Sequence, residues 1–133
     1  MIDRVAAKLE YKMSHRPMGV FQIRNMANDK AFVDSSTNIP GKINRHRFSL
    51  VAGLHKTKSL QADWNEFGEA AFEFETLESV EPRDDLNYDY AADLETLEDL
   101  WLEKLEPYGD KGYNKRKLTR DERLQMIRAN RNL

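Results

Sequence analysis

The segment from Val20 to Ser35 constrains this chain more than any other. Val20 to Asn25 and Ala31 to Ser35 both read as strands, and the five residues between them, Met26-Ala27-Asn28-Asp29-Lys30, are polar enough for a turn. Strands joined so briefly pair antiparallel, and an isolated hairpin needs further elements to cover it. Alternation returns at Ala71 to Leu77. There Phe72 and Phe74 fall on one face and Glu73 and Glu75 on the other, the pattern of a half-buried strand with one wet face.

The remaining segments carry helical periodicity. Ile2, Val5, Ala6 and Leu9 predict an amphipathic helix over 2–13, ended by Pro17. Residues 39–52 predict a helix with a proline-led start, closed by Gly53. Ile43, Arg47 and Leu50 share one of its faces, and Phe48 and Val51 lie together nearby. Ser59 is placed to N-cap a second helix through Phe67, with Gly68 just past its end. After an acidic loop over 81–90, a long helix runs from Ala91 to Glu106 and stops before Pro107. Thr119 and Glu122 have capping-box spacing and open a C-terminal helix. The expected fold is α/β in the α+β sense: a small three-stranded antiparallel sheet flanked by helices. The expected organisation is an N-terminal helix and lead-in over 1–17, a core domain over 18–114 and a basic helical tail over 115–133.

Composition removes several classes of function. A chain of 133 residues fits one ordinary domain. It has no Cys, which rules out disulfides and thiolate metal sites. It has no apolar run of the roughly 18 residues that a membrane span needs, and its first residues lack the apolar block of a secretory signal. The expected address is therefore cytoplasmic. The net charge of −2 conceals a segregation. Residues 1–60 carry eleven basic and four acidic side chains, 61–110 two and seventeen, and 111–133 eight and two. A basic face could bind a polyanion; equally, the two signs could attract each other across the fold.

Two places stand out chemically. On the long helix, at about 100° per residue, Leu94, Leu97, Leu100, Trp101, Leu102 and Leu105 cover one arc and Glu98 falls inside its edge. Glu95, Asp99 and Glu103 lie on the far side. A carboxylate there either reaches solvent along its stem or needs a cation. In the cluster Lys42, Asn44, Arg45, His46 and Arg47, Lys42 and His46 are four apart and share a face, with Arg45 pointing elsewhere. A fixed charge beside a titratable one suits a phosphate, although an ordinary exposed basic turn has the same composition. Trp64 reads as a core anchor. His15 and His55 are isolated and are assigned no role. There is no P-loop, GxSxG, HExxH or CxxC arrangement.

Several short motifs in order resemble the GIY-YIG nuclease superfamily. Gly19-Val20-Phe21, then Phe32-Val33-Asp34-Ser35-Ser36, resembles that family's paired strands, with Gln22-Ile23-Arg24-Asn25 continuing the first. Asn38-Ile39 and Arg45-His46-Arg47 fall where members have a helix bearing Arg and His. Leu60 to Gly68, Phe72 to Glu75, Leu97-Glu98 with Trp101-Leu102, and Gly112-Tyr113-Asn114 continue the likeness over roughly 18–114. The whole chain looks most like small standalone bacterial members. The resemblance implies hydrolysis of a DNA phosphodiester with one divalent metal, Mg²⁺ or Mn²⁺, held by Glu98. It implies roles for two tyrosines, an arginine and a late asparagine at positions 21, 32, 42 and 114, with His46 beside them. It also implies that residues 42 and 98 line one cleft, where Lys42 and Glu98 could form a salt bridge.

The residues depart from the family where its chemistry lies. Phe21 and Phe32 replace the tyrosines, Asp34 replaces a glycine and Lys42 the arginine. Phe fills the volume of Tyr without its hydroxyl. Lys keeps the charge and loses the two-pronged grip on phosphate. The expectation is an impaired or inactive member that binds nucleic acid through Lys42, Arg45, Arg47, Arg116, Arg120 and Arg123. An active divalent-metal endonuclease and a protein-binding domain using the acidic 61–110 surface are the alternatives.

Overall fold

The computed structural model describes residues 16–116 and 120–131. The helix expected over 2–13, His15 and the Thr119 cap lie outside them. The hairpin forms where expected, as β1 (Gly19–Asn25) and β2 (Ala31–Ser36). Its turn closes through the Asn25 and Lys30 backbones, and Asp29 takes the left-handed conformation at φ 63°. A third strand, β3 (Phe72–Ser79), pairs antiparallel on the other side of β1, so the sheet order is β2-β1-β3. This is the expected α+β architecture, with β3 displaced slightly toward the C-terminus. Ala71 belongs instead to a short 3₁₀ turn, Glu69–Ala71.

Period-two alternation puts each strand's side chains on two faces. Phe21, Ile23 and Phe72 join Ile39, Leu50, Leu60, Trp64 and Tyr113 in one cluster under the first two helices. Val20 and Val33 meet Leu102 on the other face, under the long helix. The first helix, α1 (Ile39–Ala52), starts as its sequence dictates. The Asn38 side chain accepts from the Gly41 amide at 3.1 Å, Pro40 sits in the first turn, and Gly53 ends it in the left-handed conformation. The second, α2 (Lys58–Phe67), begins before Ser59, so Ser59 lies inside it and Thr57 is the cap residue. Its start is set by the Gln61 amide, which bonds the Thr57 carbonyl rather than a serine side chain.

The long helix is α3 (Ala91–Leu105), ended by Glu106 at φ 46° ahead of Pro107. Its buried arc is narrower than the pattern suggests, since Leu100 is exposed. On α1, Phe48 and Val51 also face solvent. The last described helix is α4 (Arg120–Arg131), with Leu124, Met126 and Ile127 half-exposed.

Both edges of the sheet are closed to stray pairing. On β3, Glu73, Glu75 and Glu78 are exposed, and an acidic edge repels another strand. On β2, residues 112–114 act as a clasp. Ala31 bridges Gly112, the Tyr113 amide donates to the Ala31 carbonyl, and Asn114 grips Val33 twice. The Val33 amide donates to Asn114 Oδ1 at 2.8 Å, and Asn114 Nδ2 donates to the Val33 carbonyl at 2.9 Å. Gly112 has no room for a side chain, because a Cβ there would strike the Pro107 and Ala31 backbones. Tyr113 is locked as well, donating to Asp63 at 2.6 Å and accepting from the buried Asn25 at 3.1 Å. Burial, reinforced by Asp63, pushes its phenol up to about 12.

Asn114→Ala leaves two backbone groups of β2 without partners. A buried unpaired polar group costs about 1–3 kcal/mol, so urea unfolding should show a loss of about 2 kcal/mol. An unchanged unfolding midpoint would mean that water replaces the clasp at no cost.

Candidate functional site

The hairpin, α1 and the turn after Gly53 surround one cleft of about 370 Å³. Phe32 forms its floor, α1 supplies Lys42, Arg45, His46 and Ser49, and the turn supplies His55, Lys56 and Thr57. The i to i+4 spacing puts Lys42 and His46 side by side, as expected. Arg45 lines the same cleft rather than pointing away from it. His55 is not isolated: the left-handed Gly53 reverses the chain and returns His55 over α1, against His46.

A continuous hydrogen-bond line crosses the site. Lys42 Nζ lies 3.2 Å from Asp34 Oδ1 and 3.0 Å from the Ser35 carbonyl. Asp34 Oδ2 is 2.9 Å from His46 Nε2, and His46 Nδ1 is 2.8 Å from His55 Nε2. The Thr57 amide closes the line on His55 Nδ1 at 3.0 Å.

That last contact sets every tautomer. An amide can only donate, so His55 Nδ1 accepts and His55 carries its proton on Nε2. His46 Nδ1 must then accept from His55, and His46 Nε2–H donates to Asp34. Both imidazoles are neutral and fully satisfied in this arrangement.

Aromatic rings fix the line in place. His46 stacks on His55 at 5.1 Å between centroids, Phe32 meets His46 edge-on at 5.4 Å, and Phe21 is 5.9 Å away. Phe21 is completely buried and acts as core. Burial pushes the Asp34 carboxyl up, but the His46 hydrogen bond, the Lys42 charge and the Ser35 amide together hold it below its ordinary value. Burial and the neighbouring His46 hold His55 below its own.

The other anticipated residues sit elsewhere. Glu98 is half-buried on α3, which packs on the opposite face of the sheet from α1, and it is not among the residues lining the cleft. The ion pair with Lys42 is made by Asp34, which reaches it from the adjacent strand. Asn114 spends its amide on β2. Arg47 pairs with Glu69 at 3.4 Å and lies over the Phe74 ring at 4.6 Å. Arg116 pairs with Glu122 at 3.2 Å. Arg123 is exposed on α4, which Arg120 opens.

Among the described residues no three His, Cys, Asp or Glu side chains converge as a metal cage.

No protein-family model matches the chain. Over 87 residues it is 30% identical to Intron-associated endonuclease 1 of Enterobacteria phage T4, a match covering 65% of this chain and 32% of that protein. The chain thus spans about a third of the relative's length. Its fold matches the catalytic domain of homing endonuclease I-TevI with a TM-score of 0.63 and 27% identity, over 75% of this chain and 99% of that domain. An alanine mutant of the same domain matches with a TM-score of 0.61 and 28% identity, over 77% and 97%. A three-stranded sheet of this order, flanked by these helices, defines a nuclease-like α+β domain. These likenesses in sequence and fold support the resemblance to the GIY-YIG superfamily.

The line across the cleft gives stability a specific pH dependence. Asp34 binds its proton more weakly when folded than when unfolded, so it stabilises the fold above its ordinary value of 3.8 and that contribution is lost below it. His55 also holds its proton less well when folded, so protonation favours unfolding once pH drops below 6.5. Urea midpoints from pH 8 to 3 should fall in two stages. His55→Gln should flatten the first stage and Asp34→Asn the second. An equally steep loss between pH 7 and 5 in His55→Gln would remove His55 from the account.

Proposed function

We propose that this domain is a cytoplasmic nucleic-acid-binding module that holds backbone phosphate at the cleft and hydrolyses it at a negligible rate. The observation that carries the reading is the closed proton line. Hydrolysis needs a group that can take a proton from water, and both nitrogens of His46 and of His55 are already engaged. The positions that would otherwise supply hydroxyls are Phe21 and Phe32, one of them fully buried. Loss of one preorganised polar group typically costs about 10²–10³ in rate, and two are missing. Lys42, Arg45 and Lys56 at the cleft, with Arg123, Arg128 and Arg131 on α4, support attraction to a phosphate backbone without reading its sequence.

One observation favours the alternative, a divalent-metal-dependent DNA endonuclease. The 2.9 Å contact between Asp34 and His46 is the geometry that makes an imidazole a better base. A bound Mg²⁺ or Mn²⁺ would stabilise the leaving oxygen. The two readings separate on supercoiled plasmid with Mn²⁺, where the wild type should nick no faster than a Glu98→Ala variant. Nicking that disappears in that variant would establish the endonuclease.

Binding should also be strongly salt-dependent, since each neutralised phosphate releases counterions. Truncation after Asn114 removes seven basic and two acidic residues. Affinity for a mixed-sequence duplex should drop and its dependence on log salt should flatten. An unchanged slope would take the tail out of the contact.

A further inference from the structure

Asp34 is held by three different donors. Lys42 Nζ and the Ser35 amide approach one carboxylate oxygen at 3.2 and 2.8 Å, and His46 Nε2 approaches the other at 2.9 Å. A fixed cation, a backbone N–H and an imidazole N–H converging on one point form the donor set that suits a phosphate oxygen. The Asp34 side chain is only 17% exposed, whereas Lys42 is 37% exposed at the edge of the cleft. The cation is therefore reachable from solvent, while its present partner is tucked behind it. The register places Asp34 directly opposite Phe21 on β1, so the carboxylate cannot drift away along the sheet. It leaves Lys42 only by rotating about its own side chain. The cleft beyond it stays open and is lined by further cations at Arg45 and Lys56.

We propose that Asp34 is a built-in occupant of the anion site: its carboxylate stands where a ligand phosphate would stand, and a nucleic-acid phosphate binds by displacing it from Lys42 and His46. This rests on the nucleic-acid-binding reading above and adds a threshold to it. The domain ignores weak or isolated anions and takes only a ligand whose other contacts offset the displacement. Asp34 is a positioning residue in this scheme. It holds Lys42 and His46 in their binding geometry while keeping them occupied.

The test is a double-mutant cycle on the full chain using Asp34→Asn, Lys42→Ala and the pair. Asparagine keeps the volume and can still accept from His46, so it removes the charge without opening a hole. Asp34→Gly serves as a second variant, and circular dichroism confirms the fold of each. The first probe is a mixed-sequence DNA duplex. Asp34→Asn should bind it about tenfold more tightly than wild type, the scale of a typical coupling between groups sharing a site. Lys42→Ala should cost more affinity in the Asp34→Asn background than in the wild type. The second probe is inorganic phosphate, followed by the ring resonances of His46 and His55. These should move in Asp34→Asn at concentrations that leave the wild type unchanged.

Equal duplex binding by folded wild type and Asp34→Asn would overturn the proposal while leaving the nucleic-acid reading intact. Phosphate-induced shifts confined to Asp34→Asn, with no duplex bound by any variant, would uphold the occupant and overturn the nucleic-acid reading. No response to either probe would overturn both.

Discussion

Everything in this domain hangs on β1 being paired on both sides and covered on both faces. A strand in that position is largely buried: only Gln22 and Arg24 of its side chains are partly exposed, and both are paired, with Glu75 and Asp29. Phe21 and Ile23 enter the core under α1 and α2, and Val20 enters the one under α3. Asn25, at the end of the strand, is buried and is answered by the Tyr113 hydroxyl. The cleft inherits its rigidity from this arrangement, since β2 and α1 are both positioned against β1.

The cleft is electrostatically closed on itself. Its line of contacts starts at a cation, passes through a carboxylate and two imidazoles, and ends on a backbone amide that can neither accept nor lose a proton. A relay with such an end transmits orientation and not protons. The aromatic rings of Phe21 and Phe32 surround the line and give it shape. They do for His46 what a core does for any side chain, which is to restrict its rotamer and exclude water.

Much of this was legible in the residues. The hairpin and the third strand followed from alternation, and the first helix from the proline-led start at one end of α1 and from Gly53 at the other. Local chemistry settles such features, and local chemistry is what a sequence displays. The start of α2 was misplaced because Ser59 is a good cap residue in isolation, whereas the real boundary follows a backbone bond to Thr57 and the turn that carries His55. The breadth of the α3 arc was overestimated because periodicity says which residues share a side and not how much of that side the sheet covers. In the site, Lys42 and His46 were visible as an i to i+4 pair. Their partners were not, because Asp34 comes from a neighbouring strand and His55 from the far side of a glycine turn. The glycine reversing the chain seven residues after His46 was the available signal.

The clasp over β2 has a temporal consequence. Asn114 bonds Val33 across 81 residues of chain, and these are the contacts that finish the β2 edge. The hairpin is among the first parts of the domain to leave a ribosome, and residues 112–114 are close to the last. Between those moments β2 has an unpaired edge, and a chain halted before Gly112 keeps it. The polypeptide therefore cannot reach its final state during translation of its first hundred residues, however early the hairpin forms. Completion of the sheet edge is timed by residues 112–114.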